Sequence, residues 1–294
     1  MDVTAGADLS FVHLGFTIQN MVKSFSIGGF SIAFYGLIIG IGMVCGILVA
    51  QSDAKRRGQD PELYVDFAIY GMVFAIVGAR IYYVLFQWDY YKDHISEIIN
   101  LRKGGLAIYG GIIAGLITLY VFAKKNKMSF FSMGDSAILG LVTGQIIGRW
   151  GNFFNCEAFG GYTDSFLAMR IKRSIVSESM ISQELIDNLI VENGIEYIQV
   201  HPTFLYESLW NIGVLLFMLW YRKRKRFDGE MIAVYFAGYG IGRTWIEGLR
   251  TDSLMIPGTG LAVSQVLSIV MVLVSVSVLL FFHKKKPAER EGKE

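Results

Sequence analysis

Seven runs of about 20 mostly apolar residues, divided by charged loops, limit what this chain can fold into, because that is the length a helix needs to cross about 30 Å of hydrocarbon. They predict spans near Gly28 to Ala50, Val65 to Phe86, Gly105 to Ala123, Ser136 to Phe154, Pro202 to Tyr221, Met231 to Leu249 and Gly260 to Phe282. The sixth run is interrupted by Arg243 and Glu247. Only 18% of the 294 residues are charged and 53% are hydrophobic, against about 25% charge in an average soluble domain. A soluble fold is excluded on those grounds. No Pro-, Gly- or Ser-rich linker divides the chain, so the expected class is an all-α membrane protein. Its single polytopic domain covers residues 1–283, and a basic cytoplasmic tail covers residues 284–294.

Cytoplasmic loops collect Lys and Arg, so the basic clusters set the direction of threading. Lys55/Arg56/Arg57, Lys124/Lys125/Lys127, Arg222 through Arg226 and Lys284/Lys285/Lys286 fall on one side if the N-terminus is outside and the C-terminus cytoplasmic. The connections Gln87 to Gly104, Asn155 to His201 and Arg250 to Thr259 then face outward. Met1 to Ile27 is expected along the outer interface. It has no basic n-region and no Ala-x-Ala-like cleavage site, so no removable signal peptide is predicted. Between the fourth and fifth helices lies a small extracytoplasmic insert, about residues 156–201. Strand-like alternation runs from Phe166 to Arg173, and a helix is expected over Gln183 to Glu192, capped by Ser182 and ended by Gly194.

Glycines recur at helical spacing at Gly36/Gly40, Gly42/Gly46, Gly111/Gly115 and Gly140/Gly144/Gly148, which predicts close helix contacts. Tyr82, Tyr83, Trp88, Tyr90 and Tyr91 read as an interfacial aromatic belt. Cys45 and Cys156 give neither a disulfide framework nor a metal-ligand spacing, and are expected as small packing residues. The separated basic clusters argue against a nucleic-acid partner.

Charged groups within spans are costly and face protein or water. Arg80, Arg149 and Arg243 lie in the second, fourth and sixth runs, with Glu207 and Glu247 in the fifth and sixth. Residues three or four apart share a helix face. Three polar stripes follow: Gln145/Arg149/Asn152, Tyr235/Tyr239/Arg243/Glu247 and Thr203/Glu207/Asn211. Tyr35 and Tyr109 add hydroxyls from the first and third spans. The threading gathers these groups in a polar cavity open to the outer leaflet. Its guanidinium groups suit phosphate, which they grip through forked hydrogen bonds. Three cations against two anions leave a positive charge for an anionic ligand. The alternative is that the arginines only neutralise the two glutamates. Tyr35, Tyr109, Tyr239 and His201 taken singly also fit packing or interfacial roles.

The run Gly148-Arg149-Trp150-Gly151-Asn152-Phe153-Phe154-Asn155-Cys156-Glu157-Ala158-Phe159-Gly160 resembles the signature of the bacterial prolipoprotein diacylglyceryl transferase family. The resemblance extends to Phe25-Ser26-Ile27 with Tyr35-Gly36, to Gly104 through Gly111, to His201 through Glu207, and to Gly242-Arg243 with Glu247 and Arg250-Thr251-Asp252. It implies a membrane enzyme that moves the diacylglyceryl group of phosphatidylglycerol to the lipobox cysteine of a prolipoprotein, with no cofactor or metal. It also implies that Arg149 and Arg243 hold the phosphate and that Asn152, Glu157 and Gly160 shape the headgroup pocket. Glu207 and Glu247 would orient the arginines, and Tyr35 and Tyr239 would donate to the lipid. Many relatives carry His where Tyr109 stands here. Tyr109, a weak base with an unperturbed pKa near 10, is therefore expected to position a substrate. His201 is a candidate proton acceptor. Relatives often carry Gly in place of Cys156, which favours a packing role over a nucleophile. A transporter or channel binding an organic anion is the competing class, but the duplicated halves common in transporters are not visible. A membrane scaffold would leave arginines on three spans unexplained.

Overall fold

The structure, a computed structural model, describes residues 6–101 and 104–285. Lys286 and the tail proposed from it, like residues 1–5 of the N-terminal segment, lie outside the described residues. The α-helices are α1 (Phe34–Arg56), α2 (Glu62–Phe86), α3 (Trp88–Tyr91), α4 (Ile108–Lys125), α5 (Phe130–Asn155), α6 (Gln183–Asp187), α7 (Thr203–Tyr221), α8 (Glu230–Glu247) and α9 (Val263–Lys285). The strands are β1 (Leu9–Phe11), β2 (Phe16–Ile18), β3 (Ser24–Ile27), β4 (Phe30–Ala33), β5 (Met169–Lys172), β6 (Ile190–Glu192) and β7 (Ile195–Val200). Among the described residues, six helices are long and apolar enough to cross a membrane: α1, α2, α4, α5, α9, and α7 with the 3-10 turn that continues it to Arg224. The sixth apolar run does form a helix, α8, but its charged residues keep it out of that set.

The described residues pack as two compact units, one up to Gly46 together with those from Leu141 onward, the other Ile47–Gly140. In the first unit, a five-stranded antiparallel sheet of order β2-β1-β5-β7-β6 joins the N-terminal segment to the residues between α5 and α7. Leu9 and Phe11 are buried in one core with Ile171, Ile198, Val200, Leu185 and, from the end of α5 and start of α7, Phe153 and Phe204. Leu9–Phe11 is thus a core strand, which the expectation of an interfacial segment over Met1 to Ile27 did not include. Pairing on both sides of β1 satisfies its backbone groups, and Leu9, Ser10 and Phe11 are all buried.

The predicted helix over Gln183 to Glu192 stops at Asp187, and Ile190–Glu192 is strand β6. Asn193 and Gly194 both have left-handed φ, 51° and 77°, and make the two-residue turn of a β6–β7 hairpin, the geometry that an Asn-Gly pair favours. Gly194 turns a hairpin instead of ending a helix. Ser182 occupies the N-cap position of α6 without a side-chain capping bond. The strand predicted over Phe166 to Arg173 is confined to Met169–Lys172. The first span begins six residues later than its apolar run, because Ser24–Ile27 and Phe30–Ala33 pair as a separate hairpin through Gly28 and Gly29.

Helix α8 packs between α7 and α9. Trp210 Nε1 donates to the Gly238 carbonyl at 2.8 Å, and Gln265 Nε2 to the Thr244 carbonyl at 2.9 Å. A side chain at Gly242 would collide with the Trp210 ring, and one at Gly240 would lie 2.7 Å from Val272. Enclosure on two sides makes room for the ionised residues of α8, which protein rather than lipid surrounds. Helices α1 and α5 approach through Gly42 and Gly144, whereas Gly36 and Gly40 face open space.

In the second unit, α2 and α4 meet where Gly78 and Gly110 lie backbone to backbone, a pair the spacing argument did not single out. Arg80 organises the connection before α4. Its Nε donates to the Ile98 carbonyl (2.7 Å), Nη1 to those of Gly104 (3.0 Å) and Gly105 (2.8 Å), and Nη2 to those of Glu97 (2.7 Å) and Asn100 (3.3 Å). Its guanidinium also lies over the rings of Tyr83 and Tyr91, and Tyr91 is buried. Those two residues of the predicted belt therefore pack on an arginine.

Candidate active site

Local geometry begins at the end of α5. Cys156 and Ala158 take left-handed φ of 52° and 55°, so the chain turns sharply out of the helix. Glu157 folds back: its carboxylate accepts from Asn152 Nδ2 at 2.9 Å and Asn155 Nδ2 at 3.3 Å. Gly160 then enters a three-way junction. Its N–H donates to the His201 carbonyl (2.9 Å), the Gly161 N–H to the Leu249 carbonyl (2.8 Å), and the His201 N–H back to the Gly161 carbonyl (3.1 Å). A Cβ at Gly160 would stand 2.6 Å from the Leu249 oxygen and 2.8 Å from His201 Cβ. Only glycine lets the ends of α5, β7 and α8 meet this closely. That junction brings the three predicted polar stripes together.

Glu207, buried on the second turn of α7, is the hub. Arg243 Nη1 donates to its Oε1 at 2.7 Å, and Arg149 Nη2 lies 2.6 Å from its Oε2, an ionic contact without hydrogen-bond alignment. Arg243 Nη2 also reaches Glu247 Oε2 at 2.5 Å, and Ser253 Oγ donates to Glu247 Oε1 at 2.9 Å. Arg250 stands 3.8 Å from Glu207 and forms a two-pronged pair with Asp252 at 2.9 and 2.7 Å. Although burial disfavours its charge, the Asp252 hydrogen bonds raise the Arg250 pKa above its ordinary value. The same bonds outweigh burial at Asp252 and hold its carboxyl below the usual range.

Three arginines (149, 243, 250) thus meet three carboxylates (207, 247, 252), and among the described residues the cluster lacks the spare positive charge expected from sequence. Arg250 and Asp252 were visible in the resemblance but fell outside the helical stripes. The signal was their spacing: Arg250 lies seven residues, two helical turns, beyond Arg243. Arg80, bound to backbone carbonyls in its own unit, is not part of this cluster.

Beside the hub, a crevice too tight for a water molecule is lined by Glu207, Trp210, Asn211, Tyr239, Gly242, Arg243 and Ile246. Tyr239 stacks on Tyr235, with ring centroids 5.4 Å apart, and Tyr235 donates to Gln145 at 2.9 Å. Among the described residues, the Nδ2 of buried Asn211 has no hydrogen-bond partner. Tyr35 lays its ring on Gly151, where a Cβ would be 2.7 Å away. His201 Nδ1 is 3.2 Å from the Tyr206 hydroxyl. Burial lowers its pKa, with Glu184 opposing, so the ring is neutral at pH 7. Cys156 is buried in the sheet core and its thiol is pushed up to about 11 by desolvation, which suits packing and not nucleophilic chemistry. Tyr109 is the second residue of α4 in the other unit and is exposed.

Several apolar membrane-length helices, together with arginines and carboxylates drawn from three of the chain's helices into one ionic cluster, define a multi-pass membrane protein with a charge-balanced polar centre. Residues 23–281 match the prolipoprotein diacylglyceryl transferase family, and the chain belongs to it. It is similar to three phosphatidylglycerol–prolipoprotein diacylglyceryl transferases. The relative from Geobacillus kaustophilus is 40% identical over 263 residues, covering 89% of this chain and 93% of that protein. The Clostridioides difficile relative is 39% identical over 262 residues, 89% of this chain and 95% of its own. A relative from Bacillus cereus is 40% identical over 269 residues, 91% and 94% respectively.

Proposed function

We infer that this protein transfers the diacylglyceryl group of phosphatidylglycerol to the lipobox cysteine thiol of a prolipoprotein, the first step of lipoprotein maturation. Family membership and about 40% identity over nine-tenths of the chain support the activity. The observation that carries the site assignment is the meeting of Arg149 and Arg243 on Glu207.

The substrate thiolate attacks the glycerol carbon that bears the phosphate ester. A carbon–sulfur bond forms, the carbon–oxygen bond breaks, and the electron pair leaves on the oxygen of glycerol phosphate. Arg149 and Arg243 hold that phosphate and stabilise the charge that grows on it, as preorganised donors do in a low-dielectric site. Arg149 suits this role because its contact with Glu207 is unaligned, which leaves its N–H fork for a ligand. Glu207 and Glu247 orient the two guanidinium groups, the Asn152–Glu157 pair and Gly160 shape the headgroup pocket, and Tyr35 and Tyr239 donate to the lipid. His201, neutral and next to the Gly160 junction, takes the thiol proton, while Tyr109 positions a substrate.

Seven spans, with α8 as the sixth, an outside N-terminus and a cytoplasmic C-terminus complete the reading, and the insert of residues 156–201 lies outside. The basic loops support this threading, which puts the site at the outer leaflet of the bacterial cell membrane. The test is direct: the purified protein in phosphatidylglycerol vesicles with a lipobox peptide is expected to yield the thioether and glycerol phosphate. Neither product under conditions where a relative works would end the proposal.

A further inference from the structure

The β3–β4 hairpin is built like an amphipathic wedge. Its register pairs Phe25 with Ile32 and Ile27 with Phe30 on one face, and Ser24 with Ala33 and Ser26 with Ser31 on the other. Four large apolar side chains thus share one side and three hydroxyls the other. Among the described residues the ribbon joins no other strand. Phe30 is 79% exposed and Ile27 63% exposed, while Phe25 rests against Phe34, with ring centroids 5.3 Å apart. An isolated two-stranded ribbon is marginal in water, so a face of this composition needs something to cover it.

We propose that this apolar face inserts into the lipid bilayer at the end of α1. Continuity with the lipid-facing surface selects lipid as the occupant. Strand β4 ends at Ala33 and the membrane-length helix α1 starts at Phe34 with no residue between, so the ribbon sits where that span leaves the hydrocarbon. Like Phe30 and Ile32, the apolar side chains of Leu37, Ile41 and Val44 on the adjoining α1 are exposed. Depth follows from the backbone. Both ribbon edges carry N–H and C=O groups outside the ladder, which hydrocarbon does not tolerate. The strands therefore stay at headgroup level while the side chains dip about 5–10 Å, as in interfacial amphipathic helices. Tyr35, which rests on Gly151 of the signature run, follows the hairpin by two residues, so the wedge holds that contact at a fixed depth.

Nitroxide labels test this in the full chain, reconstituted in vesicles of phosphatidylglycerol and phosphatidylcholine. Labels are attached at Ile27→Cys, Phe30→Cys, Ile32→Cys, Ser26→Cys and Ser31→Cys in a Cys45→Ala, Cys156→Gly background. Power saturation is expected to show high oxygen and low nickel-chelate accessibility at 27, 30 and 32, and the reverse at 26 and 31, with the ranking inverting between neighbours 30 and 31. High nickel accessibility at all five positions would overturn the proposal. So would shielding from both reagents, which would mean the face is covered by protein. Labels that stay wet until a lipoprotein signal peptide is added, and only then become shielded, would make the hairpin a peptide dock and equally overturn it. Three independent apolar-face positions keep the answer available if one variant fails to fold, and transferase activity is not part of the readout.

Discussion

Arg80 and Arg243 are both arginines inside membrane-length runs, yet they are held in opposite ways. Arg80 donates to five backbone carbonyls, acceptors that have no charge to exchange and that fix the connection before α4. Arg243 is divided between two carboxylates, and Arg149 touches one of them without alignment. Carbonyl-bound guanidinium is cement, because an incoming phosphate would have to dismantle a loop to reach it. Carboxylate-bound guanidinium is exchangeable, since one anion can replace another. A buried arginine is therefore read from its acceptors more reliably than from its depth.

The largest expected effect breaks the exchangeable side. Arg243→Ala should lower product formation by about 10³-fold, the scale of losing a preorganised donor to developing charge. It also takes an ion-pair partner from Glu207 and Glu247, so thermal melts must accompany the thioether assay. Arg149→Lys separates ligand binding from ion pairing, because it keeps the charge and loses the planar fork. Turnover should fall about 10²-fold with the melting temperature nearly unchanged; equal losses in both would mean that the balanced cluster is structural. Arg80→Ala should do the opposite, costing about 1–3 kcal/mol of stability as backbone carbonyls lose their donor, while the folded fraction keeps activity within about tenfold. Denaturation and specific activity, measured on the same sample, decide it.

Smaller effects concern the proton. Burial lowers the His201 pKa, so a base there stays neutral as pH falls below the ordinary value of about 6.5. The acid limb of kcat/KM should then lie below that value, and His201→Gln should abolish the limb; a profile unchanged by the substitution removes His201 from proton transfer. Tyr109→Phe should alter turnover by less than about tenfold, short of the 10²–10⁴-fold loss typical of a missing acid–base group. A larger loss would make its hydroxyl part of the chemistry.

The long apolar helices were legible because about 20 consecutive apolar residues have few alternatives. The sheet was not, since its strands are three to six residues long and join the N-terminal segment to a partner more than 150 residues away. A period of two cannot be established in so short a window. Asn193-Gly194 did carry a hairpin signal, masked by the polar helical pattern before it. Side chains at four-residue steps can be grouped because a helix repeats its face, and Arg149, Glu207, Arg243 and Glu247 do meet in ion pairs. Arg80 was misassigned because its partners are main-chain oxygens, which leave no mark in the sequence. Arg250 and Asp252 were missed because they follow the last helical residue of α8, where the periodic argument stops.

The crowding at Gly160 has a consequence for the charges beyond it. Glu207 and Glu247 lie on segments clamped together through that residue, so even a methyl group there would wedge apart the supports of two charges without touching either one. A single added carbon at position 160 would thus reach the ion pairs from a distance, through the backbone that carries them.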